Sequence, residues 1–417
     1  MINYNILFDF GIKEEDVSKL DYDDSSCEEI YYITLKSNQR TCPYCKGESI
    51  IKEYKEVIIK AKYKLGKTTI IIIKKPRYVC TKCKKTYTQN TKIFIENRIL
   101  KTTINLIKKD FYRKISFTEI SKKYDIPLTD IIRIFDNTKL INNAIISEAI
   151  CIDEFKNCKH ARGKYACIIV NFDDHKIVDI LEDRRLVYLR EYFDKIPVTV
   201  RKIVKYVVCD MYDGYITIAH EYFPNAIVAI DPYHYMEYMT NAVQKIRKNL
   251  FAQQNICLSD RNRIADHWQL VSADTETISN MKCTLQSGIT ISYSDRILKF
   301  VKQDKKLFYA YVFLQEIYEE LKRDKDINPE STFNFIINKL QNSIYEELQT
   351  VGNTWNHYKQ EIINSFIKYK GKRLSNGPIE GINNTEKTII KFSYGLRSYE
   401  RLKKRLIMVI NFKNQKG

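Results

Sequence analysis

KEVIIKAKYK and TTIIIIKK carry the two-residue alternation of strands, and Gly66 between them marks the turn of a hairpin. Residues 1–40 read as a short helix followed by a strand, IYYITL. From 99 to 140 the apolar spacing lengthens to that of helices. Between about 146 and 232, strands and helices alternate. AIICIDEF is a buried strand. KYACIIVNF and HKIVDILE form a hairpin joined by Asp173-Asp174. LVYLREYFDKI is a helix, YVVCDMYDGY a strand, YITIAHEYF a helix and AIVAIDPYHY a last strand. Residues 236–370 show long helical patterns with few Gly or Pro, and the tail from about 378 is basic and helical. No internal repeat or low-complexity linker appears.

Within the helical stretch, Ser116-Phe117-Thr118-Glu119 has the form of a capping box and opens a helix. Ile126-Pro127 breaks it. Thr129 is placed to cap a second helix, DIIRIFDNTKL, with Ile131, Ile134 and Phe135 facing inward. With ILKTTINLIKKDFYR in front, this is the layout of a helix-turn-helix module whose last helix enters the major groove of DNA. Arg133 and Lys139 are the candidate contacts.

Charge sharpens this picture. The 417 residues carry a formal net charge of +18, which favours a polyanionic partner. No run of eighteen apolar residues appears, so no transmembrane helix is expected, and the start is too acidic and mixed for a secretion signal. Nucleic acid is therefore the leading partner. The length calls for two or three domains.

Eleven cysteines, an odd number, do not suit a secreted disulfide scaffold. Cys151, Cys167 and Cys209 lie in apolar runs and read as small buried hydrophobes. Cys42-Pro43-Tyr44-Cys45 and Cys80-Thr81-Lys82-Cys83 are different. They are two C-x2-C pairs with 34 residues between them. Each pair presents two thiolates to one tetrahedral Zn²⁺, and two pairs joined by a hairpin close a Cys₄ structural site. Lys46, Lys82, Lys84, Lys85 and Arg77 ring these knuckles and are placed to meet phosphates.

The apolar strands end in acids: Asp153, Asp210 and Asp231. Strand, hairpin, then alternating helices and strands is the order of a ribonuclease-H-like α/β core. In that fold the first and fourth strands are neighbours, which brings Asp153 and Asp210 together. Adjacent carboxylates repel unless a cation lies between them, and hard oxygen ligands suit Mg²⁺ or Mn²⁺. A metal pair held in this way drives phosphodiester chemistry. Glu154 should point to the opposite face of its strand from Asp153. Asp213 lies past the strand end, where it could cap the next helix. A third acid lies far along the chain in SNGPIEGINNTEK, where spacing alone leaves Glu380 and Glu386 open. Lys387, Lys391, Arg397, Arg401 and Lys404 stud the helices that follow and are placed to grip phosphates.

These blocks resemble the bacterial insertion-sequence transposases of the DDE type, in the ISL3 branch. CPYC with RYVCTKCKKTY looks like the family's zinc ribbon. IDEF with KYACIIVNFDDHKIVDILEDRR looks like its first catalytic strand and hairpin, and CDMYDGY, FPNAIVAIDPYHY and SNGPIEGINNTEK like its later blocks. The resemblance implies that Asp153, Asp210 and Glu380 are the catalytic triad, choosing Glu380 over Glu386. It implies that Asp231 and His234 form an accessory D-x-x-H feature. One departure is Gly47, which follows Cys45 by two positions where ribbons often place glycine immediately after the cysteine.

The expectation is a multidomain α+β chain. A zinc ribbon domain spans 1–95 and a helix-turn-helix domain 96–145. A ribonuclease-H-like catalytic domain spans 146–417, with an all-helical insertion at about 236–370. The implied activity is recognition of terminal inverted repeats on double-stranded DNA, followed by Mg²⁺-dependent cleavage and strand transfer into a target. It is carried out by a homo-oligomer on DNA, in the bacterial cytoplasm at the nucleoid. The alternatives are a DNA-binding regulator that descends from a transposase and lacks catalysis, and a nuclease or resolvase that cuts without joining. Trp268 and Trp355, inside the helical stretch, read as core residues.

Overall fold

The computed structural model describes residue 7 and residues 12–26, 28–61, 68–89, 94–95, 99–252, 268–285, 287–322, 328–392 and 398–412. The Gly66 turn and Arg397 lie outside the described residues. The chain forms two compact units. One comprises residues 1–144, 157–164 and 382–417; the other comprises 145–156 and 165–381.

The first unit opens with a five-stranded sheet: β1 (Val17–Asp24), β2 (Glu28–Leu35), β3 (Ser49–Ala61), β4 (Thr68–Cys80) and β5 (Thr86–Thr88). The order is β1-β2-β4-β3, with β5 also on β4. β3 and β4 pair antiparallel as the alternation predicts. SKLDYDD, read with the helical start of the chain, is instead the strand β1, because its partner β2 offers Tyr31 and Ile33 to a shared core with Leu20. Short strands β6 (Phe94–Ile95) and β7 (Ile99–Leu100) pair with each other. Three helices follow: α1 (Lys101–Asp110), α2 (Phe117–Tyr124) and α3 (Leu128–Asn137).

The capping box opens α2 as expected. Glu119 N–H donates to Ser116 Oγ at 3.0 Å, and Ser116 N–H donates to Glu119 Oε2 at 2.6 Å. Asp125 closes α2 at φ 53°, in the left-handed region. α3 starts at Leu128 with Pro127 as its cap, not at Thr129. Proline at this boundary presets φ and surrenders an N–H that has no helical partner there. Phe111, Phe117 and Phe135 meet in the core of the three helices, with ring centroids 4.9–5.7 Å apart.

The second unit holds a mixed sheet of β8 (Ala149–Lys156), β9 (Tyr165–Asn171), β10 (Ile177–Leu181), β11 (Tyr206–Cys209) and β12 (Ile227–Ile230), in the order β10-β9-β8-β11-β12. β8, β9 and β10 are antiparallel neighbours, while β8-β11-β12 run parallel. Helices α4 (Leu186–Phe193), α5 (Val198–Arg201) and α6 (Asp213–Tyr222) supply the connections. Burial of the central strands explains why ICI, CIIV and YVVC read as unbroken apolar runs.

Beyond β12 come α7 (Pro232–Ala252), α8 (Thr275–Ser279), β13 (Lys282–Thr284), β14 (Thr290–Ser292), α9 (Tyr293–Val301), α10 (Lys305–Lys322), α11 (Pro329–Gln341), α12 (Glu346–His357) and α13 (Lys359–Asn364). The region is mainly helical. The antiparallel β13–β14 hairpin corrects the all-helical expectation: Thr284 and Thr290 face each other across it, and β-branched residues favour the extended form. Trp355 is fully buried in its core, with its indole N–H donating to the Tyr235 carbonyl at 3.0 Å. Gly352 permits the close approach of α12 to α11, since a Cβ there would lie 2.8 Å from the Gln341 nitrogen.

β15 (Lys368–Tyr369) and β16 (Lys372–Arg373) precede α14 (Gly377–Phe392), and α15 (Tyr399–Asn411) closes the described chain. α15 belongs to the first unit. Its Arg405 is buried and donates to the carbonyls of Phe111, Arg113 (2.8 Å) and Ile115 (2.6 Å), just past the C-terminus of α1. Arg401 makes a two-pronged pair with Asp136 at 2.8 and 2.7 Å, and Lys404 donates to the Phe135 and Asp136 carbonyls at the end of α3. Arg401 and Lys404, expected to face phosphates, are thus engaged within the fold. The last carbonyls of α3 have no helical partner of their own and attract cations.

Candidate catalytic and metal sites

β8 and β11 pair in parallel with Ile152 opposite Cys209. Each strand then continues into an aspartate, so Asp153 and Asp210 stand side by side where β11 ends, in the middle of the sheet. Both are nearly buried, at 9% and 8% exposure. Glu154 joins them: one carboxylate oxygen from each of Asp153, Glu154 and Asp210 lies within 4.8 Å of the others. β9 pairs with β8 in unbroken register through Lys156, so the alternation that sets Glu154 on the other face from Asp153 holds in the backbone. β11 stops at Cys209, opposite Ile152, and past its end the longer Glu154 side chain still brings a carboxylate oxygen to Asp153 and Asp210.

Arg184, just after β10, donates to Glu154 Oε1. Its guanidinium lies over the rings of Tyr165 and Tyr212, at 4.8 and 4.5 Å. Glu154 Oε2 and Asp210 Oδ1 are buried with no hydrogen-bond partner. Burial, then the Glu154 and Asp153 charges, push the Asp210 carboxyl up to about 8, against some relief from Arg184. Burial likewise pushes Asp153 up to about 6, although the Glu154 N–H and the nearby His234 draw it down. Unpartnered oxygens in a buried acidic cluster fit a hard divalent cation.

Asp231 ends β12 but its oxygens are engaged. Oδ1 accepts the Asn376 N–H at 2.7 Å and Oδ2 the Tyr233 N–H at 3.1 Å. Asn376 Nδ2 reaches the Ile152 carbonyl at 3.4 Å, and Cys151 Sγ donates to the Ser375 carbonyl at 3.6 Å. Asp231 and Asn376 therefore pin the start of α14 to the ends of β8 and β12. Glu380 sits in the first turn of that helix, exposed, and is not among the three clustered acids. Glu386 falls on the other side of the unit boundary, buried, with its carboxyl pushed up to about 7 by burial. Sequence reasoning set Glu154 aside as facing away from Asp153, and missed Arg184 and Asn376. The signals available were the acid directly after Asp153, the Arg-Arg after β10 and the Asn before Gly-Pro.

Cys42, Cys45, Cys80 and Cys83 also come together. Sγ–Sγ distances of 3.7 Å (Cys42–Cys83) and 3.4 Å (Cys45–Cys80) are near the roughly 3.8 Å edge of a zinc–thiolate tetrahedron. The two knuckles are built alike. Lys46 and Lys84 donate their N–H to the Cys42 and Cys80 carbonyls, at φ 61° and 59°. These are the left-handed positions where glycine is usual, and here lysine occupies both. Gly47 serves another end: a Cβ there would lie 3.1 Å from Lys82 Cβ and 3.5 Å from two sulfurs. The Cys83 N–H draws the Cys80 thiol down to about 6, favouring the thiolate that a metal needs.

Arg133 is half-buried and paired with Asp130 at 2.7 Å, whereas Lys139 and Lys387 are exposed. Lys391 lies on α14, with its side chain outside the described residues. Arg77 pairs with Glu53 at 2.8 Å. No helix of the described residues is long and apolar enough to cross a membrane.

No curated protein matches the chain. Among solved structures, the Drosophila P element transposase strand transfer complex is similar with a TM-score of 0.39 and 12% identity, over 74% of this chain and 91% of that chain. The model of the ISL3 family of DDE transposases, described as "Transposase", matches residues 150–406. That span is more than half of the sequence and holds all three clustered acids. On that match the chain belongs to the ISL3 family of DDE transposases, enzymes of phosphoryl transfer.

Proposed function

We propose that this transposase binds the terminal inverted repeats of an insertion sequence, cleaves DNA at its ends in the presence of Mg²⁺ or Mn²⁺, and joins the ends to target DNA. One observation carries the reading: Asp153 and Asp210 stand together at the ends of adjacent parallel strands, with a buried oxygen of Asp210 left unpartnered. The strand order β10-β9-β8-β11-β12 supports a ribonuclease-H-like core, with 236–370 as its helical insertion. Asp153, Asp210 and Glu380 are the catalytic acids that would hold the cation, and Glu154 adds a fourth carboxylate. When bound, a divalent cation supplies activation of the attacking oxygen and charge stabilisation of the leaving one.

The remaining roles fall to the chain. Asp231, through Asn376, fixes where the Glu380 helix begins, and His234 offsets charge beside Asp153. Water displaces the 3′-oxygen of a phosphodiester at the element's end. The freed 3′-hydroxyl then displaces a 3′-oxygen in the target, so each step makes one P–O bond and breaks one. The ribbon (1–95), with structural zinc, and the helix-turn-helix (96–145) read double-stranded DNA. Arg133, Lys139, Lys387, Lys391 and Arg397 are its contacts, and two or more copies pair the ends at the bacterial nucleoid.

The test is Asp210→Asn. It abolishes metal-dependent cleavage of terminal-repeat DNA and leaves end binding intact. Retained cleavage overturns the assignment, and end binding by a wild-type chain that never cuts makes the protein a regulator.

A further inference from the structure

β3 lies at the edge of the N-terminal sheet, where its hydrogen-bonded neighbour among the described residues is β4. Residues 50–56 are all exposed, and Ile50, Tyr54 and Ile58 keep 59%, 44% and 48% of their surface in solvent. The direction of the backbone at Tyr54 follows from its partner. Tyr54 stands opposite Pro76, which has no N–H and whose carbonyl accepts from the Gln89 N–H at 3.1 Å, beyond the end of β5. β5 flanks β4 on the edge away from β3. Directly opposed residues of an antiparallel pair turn their backbone groups both toward each other or both away. The Tyr54 N–H and carbonyl therefore point away from β4, along the outer edge of β3.

Exposed edges are usually guarded by charge. The segment Lys52-Glu53-Tyr54-Lys55-Glu56 carries charge, but in a self-complementary order. Laid antiparallel on a second copy about Tyr54, it sets Glu53 against Lys55, a contact made twice by the two-fold, and brings Lys52, at the bulge, toward Glu56. Directly opposed residues share a face, so every one of these contacts joins opposite signs. Centring the pairing on Glu53 or Lys55 instead sets charges against apolar or aromatic residues, so the register is specified. Glu53 and Glu56 are steadied by Arg77 (2.8 Å) and Lys74 (3.2 Å) on β4. The β3 register on β4 shifts between Ile51 and Glu53, leaving Lys52 as an extra residue that ends the straight segment.

We propose that the β3 edge is a two-fold interface between copies of this chain, with Tyr54 on the axis. The partner is a second copy because the charge order matches itself. The joint is strand addition, which closes as a symmetric pair. Its shortness makes the dimer dissociate on dilution.

Sedimentation of the full chain without DNA tests this, using Glu53→Lys, Lys55→Glu, their equimolar mixture and the double variant. Wild type self-associates with rising concentration. Each single variant brings like charges together twice and weakens association tenfold or more. The mixture restores it, because an acidic strand then faces a basic one, and the double variant restores it within a single chain. Recovery on mixing also demonstrates that both variants fold. A wild type that stays monomeric, single variants that associate normally, or a mixture that fails to recover overturns the proposal. Weakened DNA binding with unchanged association also overturns it, and assigns these lysines to phosphates.

Discussion

Asp153 and Asp210 stand one residue beyond a parallel pair, Ile152 opposite Cys209, so backbone register rather than side-chain reach brings them together. The cost of that placement is electrostatic. Two buried carboxylates and a third from Glu154 share a space that suits a cation better than protons.

The first consequence is a pH dependence. Asp210 and Asp153 are raised to about 8 and about 6, above the ordinary carboxylate range. The folded chain therefore keeps protons that the unfolded chain has released. Stability without magnesium falls as pH rises from about 4 to about 8. Thermal melting of zinc-loaded protein should show this decline, and added Mg²⁺ should raise the melting temperature more near pH 8 than near pH 5. Asp210→Asn should flatten both trends. A wild-type profile as flat as that of the variant contradicts the shared-cation account.

The two distant glutamates should separate cleanly. Glu380→Gln is expected to remove cleavage with little effect on stability, because the side chain is exposed. Glu386→Gln should spare cleavage and raise stability above pH 7, since it replaces a buried acid whose carboxyl is raised to about 7. Cleavage assays and melting curves on both variants decide it, and the reverse pattern would reassign the third acid.

Metal analysis should find one zinc per chain. Cys80→Ser should lose it and open the N-terminal sheet to protease, as stripping the zinc with a chelator would. Gly47→Ala should weaken zinc retention as well, because its methyl meets Lys82 Cβ at 3.1 Å and crowds two ligand sulfurs. Full zinc content in Gly47→Ala would show that the knuckle can yield.

Arg405→Ala should destabilise the first unit by about 3 kcal/mol or more, since it strands three carbonyls that a buried guanidinium satisfies. Arg405→Lys should recover little, lacking the fork. Binding of terminal-repeat DNA should fall in parallel with the melting temperature. A variant that melts normally yet fails to bind would instead place Arg405 on DNA.

What the sequence disclosed was mostly local. The Ser116–Glu119 box, the C-x2-C pairs and the apolar runs ending in Asp153 and Asp210 are short-range patterns whose physics is complete within a few residues. What stayed hidden depends on distant partners. Glu154 meets Asp210 past the end of a neighbouring strand, and Arg184 reaches it across a hairpin. Arg401, Lys404 and Arg405 look like surface cations until the ends of α1 and α3 are known to need them. Asp231 ends its strand like the other two aspartates, yet only the position of Asn376 reveals it as an anchor.

The Arg405 contacts span nearly three hundred residues of chain. During synthesis the three-helix core starts to form early, with Phe111 and Phe135, but its closing guanidinium leaves the ribosome only after the whole second unit has been translated. The unit proposed to read DNA thus cannot mature on a half-made polypeptide, and prematurely terminated products should be poor competitors for the element's ends.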